Sequence, residues 1–322
     1  MRKIFSFITA ILAMIIICYA QANRWPSNLT SPIANVNLLP GGMEQLSSQT
    51  TDSVKVVISH IFFCIDSISY ENLFKHKFIS KIFANTVEAT SKTATESWTG
   101  KYLMGRQSYI EVFAANYKGT SSELGNKFGD AGIVFRTRKP SDIHKINARI
   151  KADKHDAHLE VMKYESNGKI IPFNYNLYIS SADLQETFHP YIEELTEEFL
   201  KLCGFSEGEI KAGITEEQFR EKRSGKKYEK LYDNIEKIEL TLTSEEFAYL
   251  AETLKYIGFS QEGHRLTNDR LEILCSLQQN RSYKLKAIHF ALHNETEDVT
   301  IEISKNLTFK ANGTKACFQF NY

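Results

Sequence analysis

The sequence predicts an α+β fold of repeated strand-helix-strand-strand-strand units, arranged as two halves joined by a helical connector. Three observations lead there. The order strand, helix, strands occurs twice before residue 180 and resumes near residue 235. The first unit opens on Val54-Lys-Val-Val-Ile-Ser-His60-Ile-Phe-Phe-Cys64-Ile-Asp66, apolar at both parities as a strand covered on both faces must be. Between the halves the pattern changes to helical spacing. With 322 residues, 42% of them hydrophobic, the chain can bury a substantial core and divides into two globular units.

The N-terminus comes first. Arg2 and Lys3 precede an apolar run from Ile4 to Ala20, and Ala20-Gln-Ala22 supplies the small-x-small pattern that a signal peptidase reads. We expect residues 1–22 to be a signal peptide cleaved after Ala22, which makes the protein secreted or periplasmic. The run is short for a bilayer span, and no later segment reaches the ~18 apolar residues that would suggest one, so no stable membrane span is expected after cleavage. A retained anchor or a lipid on Cys18 are the lesser alternatives. Residues 23–53, with Leu39-Pro-Gly-Gly42 among Ser, Asn and Pro, read as a flexible leader.

The first half spans 54–181. After the opening strand, Leu73, Phe74, Phe78, Ile79, Ile82 and Phe83 have helical spacing, with Ser69 as the cap. Val87 to Thr95 reads as a strand, Trp98 to Gly105 as a turn or bulge, and Ser108 to Phe113 as a strand carrying Glu111 between Tyr109 and Phe113. Ala131 to Arg138 starts the second pass, followed by a helix from Pro140-Ser-Asp142 with Ile143, Ile146 and Ile150 on one face. Leu159 to Tyr164 and Lys169 to Ile179 form a hairpin about an Asn-Gly turn. Residues 182–234 are the expected helical connector, with Pro190 in a first turn and Leu195, Phe199, Leu200 and Leu202 inward.

The second half, 235–322, is shortened. Ile235 to Leu242 is a strand, and Ser244 to Tyr256 a helix closed by Gly258. Strands follow at Leu271 to Leu277, Leu285 to Leu292, Val299 to Ile303 and Ala316 to Phe320, and the last unit lacks a helix. Export makes disulfides feasible among Cys64, Cys203, Cys275 and Cys317, with Cys275 to Cys317 the first pairing to test. Asn-x-Ser/Thr sites begin at Asn28, Asn280, Asn294, Asn306 and Asn312, and matter only in a host that glycosylates secreted proteins.

Composition excludes several functions. Equal numbers of acidic and basic residues leave no field for phosphates, so no nucleic acid is expected. Arg223, Lys226 and Lys227 make only a short patch beside Glu residues, read as solvated surface. There is no nucleophile elbow, P-loop, H-E-x-x-H or dinucleotide fingerprint. The chemical clues are His60 within a buried run and Glu111 within another. A buried, unpaired carboxylate costs several kcal/mol. Three readings of Glu111 are therefore open: an ion pair with Arg136, which leads, a metal site shared with His60, or exposure. Taken alone, His60 reads first as a satisfied core histidine and only second as a ligand. Trp98, Tyr102, Tyr109 and Arg136 are candidate pocket residues, and His289, beside Leu285, Ala287 and Ala291, is a core or rim candidate.

A repeated βαβββ unit with His60 on its first strand and Glu111 on its last resembles the vicinal oxygen chelate superfamily, the glyoxalase and extradiol dioxygenase fold. The chain also resembles an uncharacterised family of exported bacterial glyoxalase-like proteins. The resemblance implies cupped mixed sheets, with a divalent metal (Zn, Fe, Mn or Ni) at the centre held by His60 and Glu111, the latter also the candidate catalytic group. It further implies ligands near Ala131 or Gly132 and near Asn174 or Asn176, where none of the usual residues stands. Two protein ligands fall short of the three typical of catalytic sites. The expected function is a small-molecule-binding or degenerate, non-catalytic member. The alternative is a divalent-metal-dependent lyase, isomerase or dioxygenase chelating adjacent oxygens of a small substrate.

Overall fold

Strand β1 (Val56–Ile65) lies at the centre of the larger of two sheets in a computed structural model that describes residues 54–92, 97–115, 127–166, 169–179, 188–225, 227–280 and 283–322. The expected signal peptide and leader, Cys18, Asn28 and the Asn167-Gly168 turn lie outside the described residues. The first unit continues with α1 (Ser67–Lys75), a π-helical turn (Ile79–Phe83), β2 (Asn85–Lys92), β3 (Ser97–Met104) and β4 (Tyr109–Ala114). The second is β5 (Ala131–Thr137), α2 (Asp142–Ala152), β6 (Ala157–Ser166), β7 (Lys169–Ile179) and β8 (Phe188–Leu195). Together they form an eight-stranded mixed sheet in the order β2-β3-β4-β1-β5-β8-β7-β6. In each unit the first and last strands pair in parallel, and the units join through the antiparallel β1–β5 pair, in which His60 faces Val134. This is the predicted α+β architecture of repeated βαβββ units.

Several boundaries differ from expectation. The sequence predicts the connector over 182–234, but β8 occupies its first part, so the first half runs to Leu195 rather than 181. Pro190 is a strand residue; β7 pairs with β8 only over Ile192–Leu195, so the N–H that proline lacks is tolerated there. Helix α1 is capped by Asp66, which accepts the Ser69 N–H at 2.9 Å, and not by Ser69. The expected turn at Trp98 to Gly105 is strand β3, paired with both β2 and β4. The connector proper comprises α3 (Glu197–Leu202), α4 (Glu207–Ala212) and α5 (Glu216–Ser224). Thr215 and Gln218 form a reciprocal capping box that starts α5.

The second sheet is built from β9 (Tyr232–Leu242), α6 (Ser244–Lys255), β10 (Ser260–Glu262), β11 (Arg265–Thr267), β12 (Glu272–Leu277), β13 (Leu285–Ser304) and β14 (Leu307–Phe320). Its order is β10-β11-β12-β9-β13-β14, with β9 and β12 parallel, so a third βαβββ unit is present. The fourth is reduced to the β13–β14 hairpin. No helix among the described residues is long and apolar enough to cross a membrane.

Alternation decides what each face of the first sheet meets. Ile61, Phe63 and Ile65 of β1, with Ile133 and Phe135 of β5, belong to one large core shared with the second sheet, where Phe63 meets Phe320 with ring centroids 5.2 Å apart. His60 and Phe62 project to the other face, over which the connector helices fold. All four described cysteines are free thiols. Cys275 pairs with Leu240 of β9 and is part of the large core, whereas Cys317 lies opposite His289, and strands β9 and β13 separate the two. At about 4.8 Å per strand that spacing exceeds disulfide reach, so the expected Cys275–Cys317 bridge is not formed.

Candidate functional site

The site lies on the His60 face of the first sheet, where strand register aligns polar residues of both units. Tyr109 stands beside His60 and Glu111 beside Phe62; in the second unit Tyr191 stands beside Val134 and Glu193 beside Arg136. The two units thus present the same tripeptide, Tyr109-Ile-Glu111 and Tyr191-Ile-Glu193. Sequence reasoning misses Glu193, although this repeat is its available signal, because the segment around it reads as helix. The second-unit positions are therefore Val134 and Glu193, not Ala131 or Gly132 and Asn174 or Asn176.

His60 is fully buried and stacks on Tyr109, ring centroids 4.3 Å apart and 14° from parallel, with Nδ1 3.2 Å from the Ser59 hydroxyl. Burial, and after it the charges of Arg136 and Arg220, hold its pKa well below the usual histidine range, so the imidazole is neutral. His189 of β8 is likewise neutral: burial lowers it to about 3. The Phe62 ring packs over Gly132, where an added Cβ would come within 2.1 Å of it, and stacks 6.1 Å from His189.

Glu111 is 3% exposed and accepts a hydrogen bond from the Tyr102 hydroxyl at 2.6 Å. Burial and the negative charge of Glu193 raise its pKa to about 7, against the pull of the Tyr102 hydrogen bond, so near neutrality it holds a proton part of the time. Replacing Tyr102 with Phe removes the one contact that favours the anion. The Glu111 pKa is then expected to rise further above 7, as read by pH titration of its carboxyl carbon signal in NMR; an unchanged midpoint would show that the hydroxyl does not act on it.

Arg136 does not pair with Glu111, contrary to the leading expectation. Its Nε and Nη2 donate to Glu193 Oε1 at 2.9 and 2.6 Å, and its Nη1 donates to Glu216 Oε1. Asn174 Nδ2 adds a contact to Glu193 Oε2 at 3.3 Å and donates to Asn176 Oδ1 at 2.9 Å. Glu216 opens α5, which crosses this face. Further along α5, Arg220 donates to the carbonyls of Gly105 and Ser108 and stands 5.3 Å from the Tyr109 ring centroid. Arg223 lies 5.6 and 5.5 Å from the ring centroids of Phe199 and Phe219, facing the site rather than forming the solvated patch expected of it. Arg106, between β3 and β4, holds Glu217 of α5 at 2.6 Å.

Between sheet and helix is a cavity of about 60 Å³, lined by Val87, Tyr102, Met104, Tyr109, Arg136, Phe173, Leu195, Glu216, Phe219, Arg220 and Arg223. Tyr102, Tyr109 and Arg136 line this cavity. Trp98 is the second residue of β3, and its side chain lies outside the described residues. His289 is elsewhere, on the second sheet, with Nε2 3.0 Å from Glu239 Oε1 and 3.9 Å from Cys317 Sγ. Glu111 is not a lining residue; its Tyr102 partner presents the surface that a ligand would meet.

A resident divalent metal does not fit these residues. His60 and Glu111 offer two donors. Val134 offers none, and Glu193 is bound to a guanidinium that already supplies its countercharge. Among the described residues no group of three His, Cys, Asp or Glu side chains is arranged to hold a metal.

Paired βαβββ units about an antiparallel seam define the vicinal oxygen chelate fold that the sequence resembles. The chain belongs to DUF5829, a family of unknown function, whose model matches residues 58–320. Among curated proteins none matches the sequence. Similar solved structures include a hypothetical protein from Staphylococcus aureus, at 14% identity and TM-score 0.47, covering 76% of this chain and 95% of that one. A Mn(II)-bound glyoxalase from Novosphingobium aromaticivorans is 11% identical with TM-score 0.34, over 70% of this chain and 62% of its own. A homoprotocatechuate 2,3-dioxygenase from Arthrobacter globiformis is 9% identical with TM-score 0.33, over 71% of this chain and 62% of its own.

Proposed function

We propose that this is an exported small-molecule-binding protein of glyoxalase-like fold, whose cavity is organised by an ion-pair network in place of a metal centre. One observation carries the reading: Arg136 bridges Glu193 and Glu216 in the unit that would have to supply the remaining metal ligands. The placement of Glu111 behind Tyr102 also favours binding over proton transfer to a ligand. Export rests on Arg2-Lys3, the apolar run Ile4 to Ala20 and the Ala20-Gln-Ala22 site.

The test is elemental analysis of protein purified from Asn23 onward, beside His60→Ala and Glu111→Ala. We expect no stoichiometric divalent metal in any of the three, with the variants altered only in stability. A stoichiometric metal lost from both variants would overturn the reading in favour of a divalent-metal-dependent lyase, isomerase or dioxygenase. N-terminal sequencing of the chain recovered from an exporting host is expected to begin at Asn23.

A further inference from the structure

Which ligand the cavity takes can be argued from its walls, given the binding reading above. Val87, Met104, Phe173, Leu195 and Phe219 make an apolar enclosure. The charged groups lining it are Arg136, Arg220 and Arg223 against Glu216, with Glu193 behind Arg136. Three guanidiniums therefore face two carboxylates, and Glu111, protonated part of the time near neutrality, adds only part of a negative charge. The balance around the cavity is positive.

Glu216 makes the argument specific. It is 6% exposed, it reaches Arg136 from a helix that folds over the cavity, and its Oε2 lies 3.5 Å from Arg220 Nη2. The chain has placed a carboxylate of its own on the cavity side of Arg136. A guanidinium held in a low-dielectric site presents a fixed fork for such a group. We propose that the cavity binds small carboxylates with an apolar body, the head competing with Glu216 for the guanidinium cluster and the body lying along Val87, Met104, Phe173 and Leu195.

The experiment is calorimetric titration of protein purified from Asn23 onward with benzoate and with benzyl alcohol, which has the same ring and no charge. Wild type, Glu216→Gln and Arg223→Gln are compared at pH 7.5, after thermal melts establish that each is folded. Benzoate is expected to bind about tenfold more tightly than benzyl alcohol, as a charge-assisted contact predicts. Glu216→Gln removes the internal competitor and is expected to tighten benzoate by about tenfold, leaving benzyl alcohol unchanged. Arg223→Gln should weaken benzoate alone. Equal binding of the two probes in wild type and both variants overturns the carboxylate assignment and leaves the binding reading intact. Binding of neither probe to wild type or to Glu216→Gln overturns both.

Discussion

Glu111→Gln is expected to be more stable than the wild type by about 3 kcal/mol at pH 8, with the difference vanishing near pH 4.5. Burial first, and Glu193 second, lift this carboxyl from 4.5 to about 7 in the folded protein. A carboxyl raised by folding contributes stability that is fully present below its unfolded value of 4.5. That contribution is lost as pH rises through about 7. Glutamine keeps an oxygen for the Tyr102 hydroxyl and never ionises, so only the wild type loses stability. His189 acts in the opposite sense: lowered to about 3 by burial, its contribution is present above 6.5 and declines as pH falls toward 3. His60, also lowered by burial, acts in the same sense as His189, so opposing slopes overlap in the wild type between 4.5 and 6.5, which is why the comparison must be made between variants. Urea unfolding of both proteins at several pH values reads the result; curves that stay parallel from pH 4.5 to 8 would sink it.

Arg136→Met is expected to cost about 3–5 kcal/mol, because it leaves Glu193 buried without its countercharge and Glu216 with only its 3.5 Å contact to Arg220. The gross Coulomb attraction is not the measure, since most of it offsets desolvation. What the variant exposes is the cost of one stranded carboxylate, Glu193, and of a second, Glu216, left to Arg220 alone. Adding Glu193→Gln and Glu216→Gln to Arg136→Met should therefore recover most of the loss, as read by urea unfolding of the single, double and triple variants. If the triple variant stays as unstable as the single one, the network does not act as a unit. A second outcome is expected in the same series: Arg136→Met loosens α5, because Glu216 opens that helix, and hydrogen exchange in residues 216–224 should quicken before the sheet is affected.

Much of the architecture is legible in local pattern. The double-faced apolar run of β1, the isoleucine spacing of α2 and the hairpin β6–β7 can be read directly, because burial on one or two faces imposes period or continuity on the residues themselves. Strand β8 is misread for a local reason as well. Pro190, the acidic pair Glu193-Glu194 and the onset of helical spacing at Leu195 all argue for a helix, and only the pairing with β5 and β7 overrides them. That single misreading hides Glu193 and displaces the expected last-strand ligand of the second unit onto β7.

The opening strand keeps its importance, with a narrower meaning. Residue order alone establishes that His60 and Glu111 belong to the first and last strands of one repeated unit, since neighbouring apolar residues set both strands and their parity. Which charges meet is settled in three dimensions. Arg136 has one visible candidate partner in the sequence, Glu111, on a nearby strand, yet it is held by Glu193 across the β5–β8 pairing and by Glu216 from a helix 80 residues on. Ion-pair choice in a buried site depends on strand register and on where a connector folds back, and neither quantity is written in local periodicity.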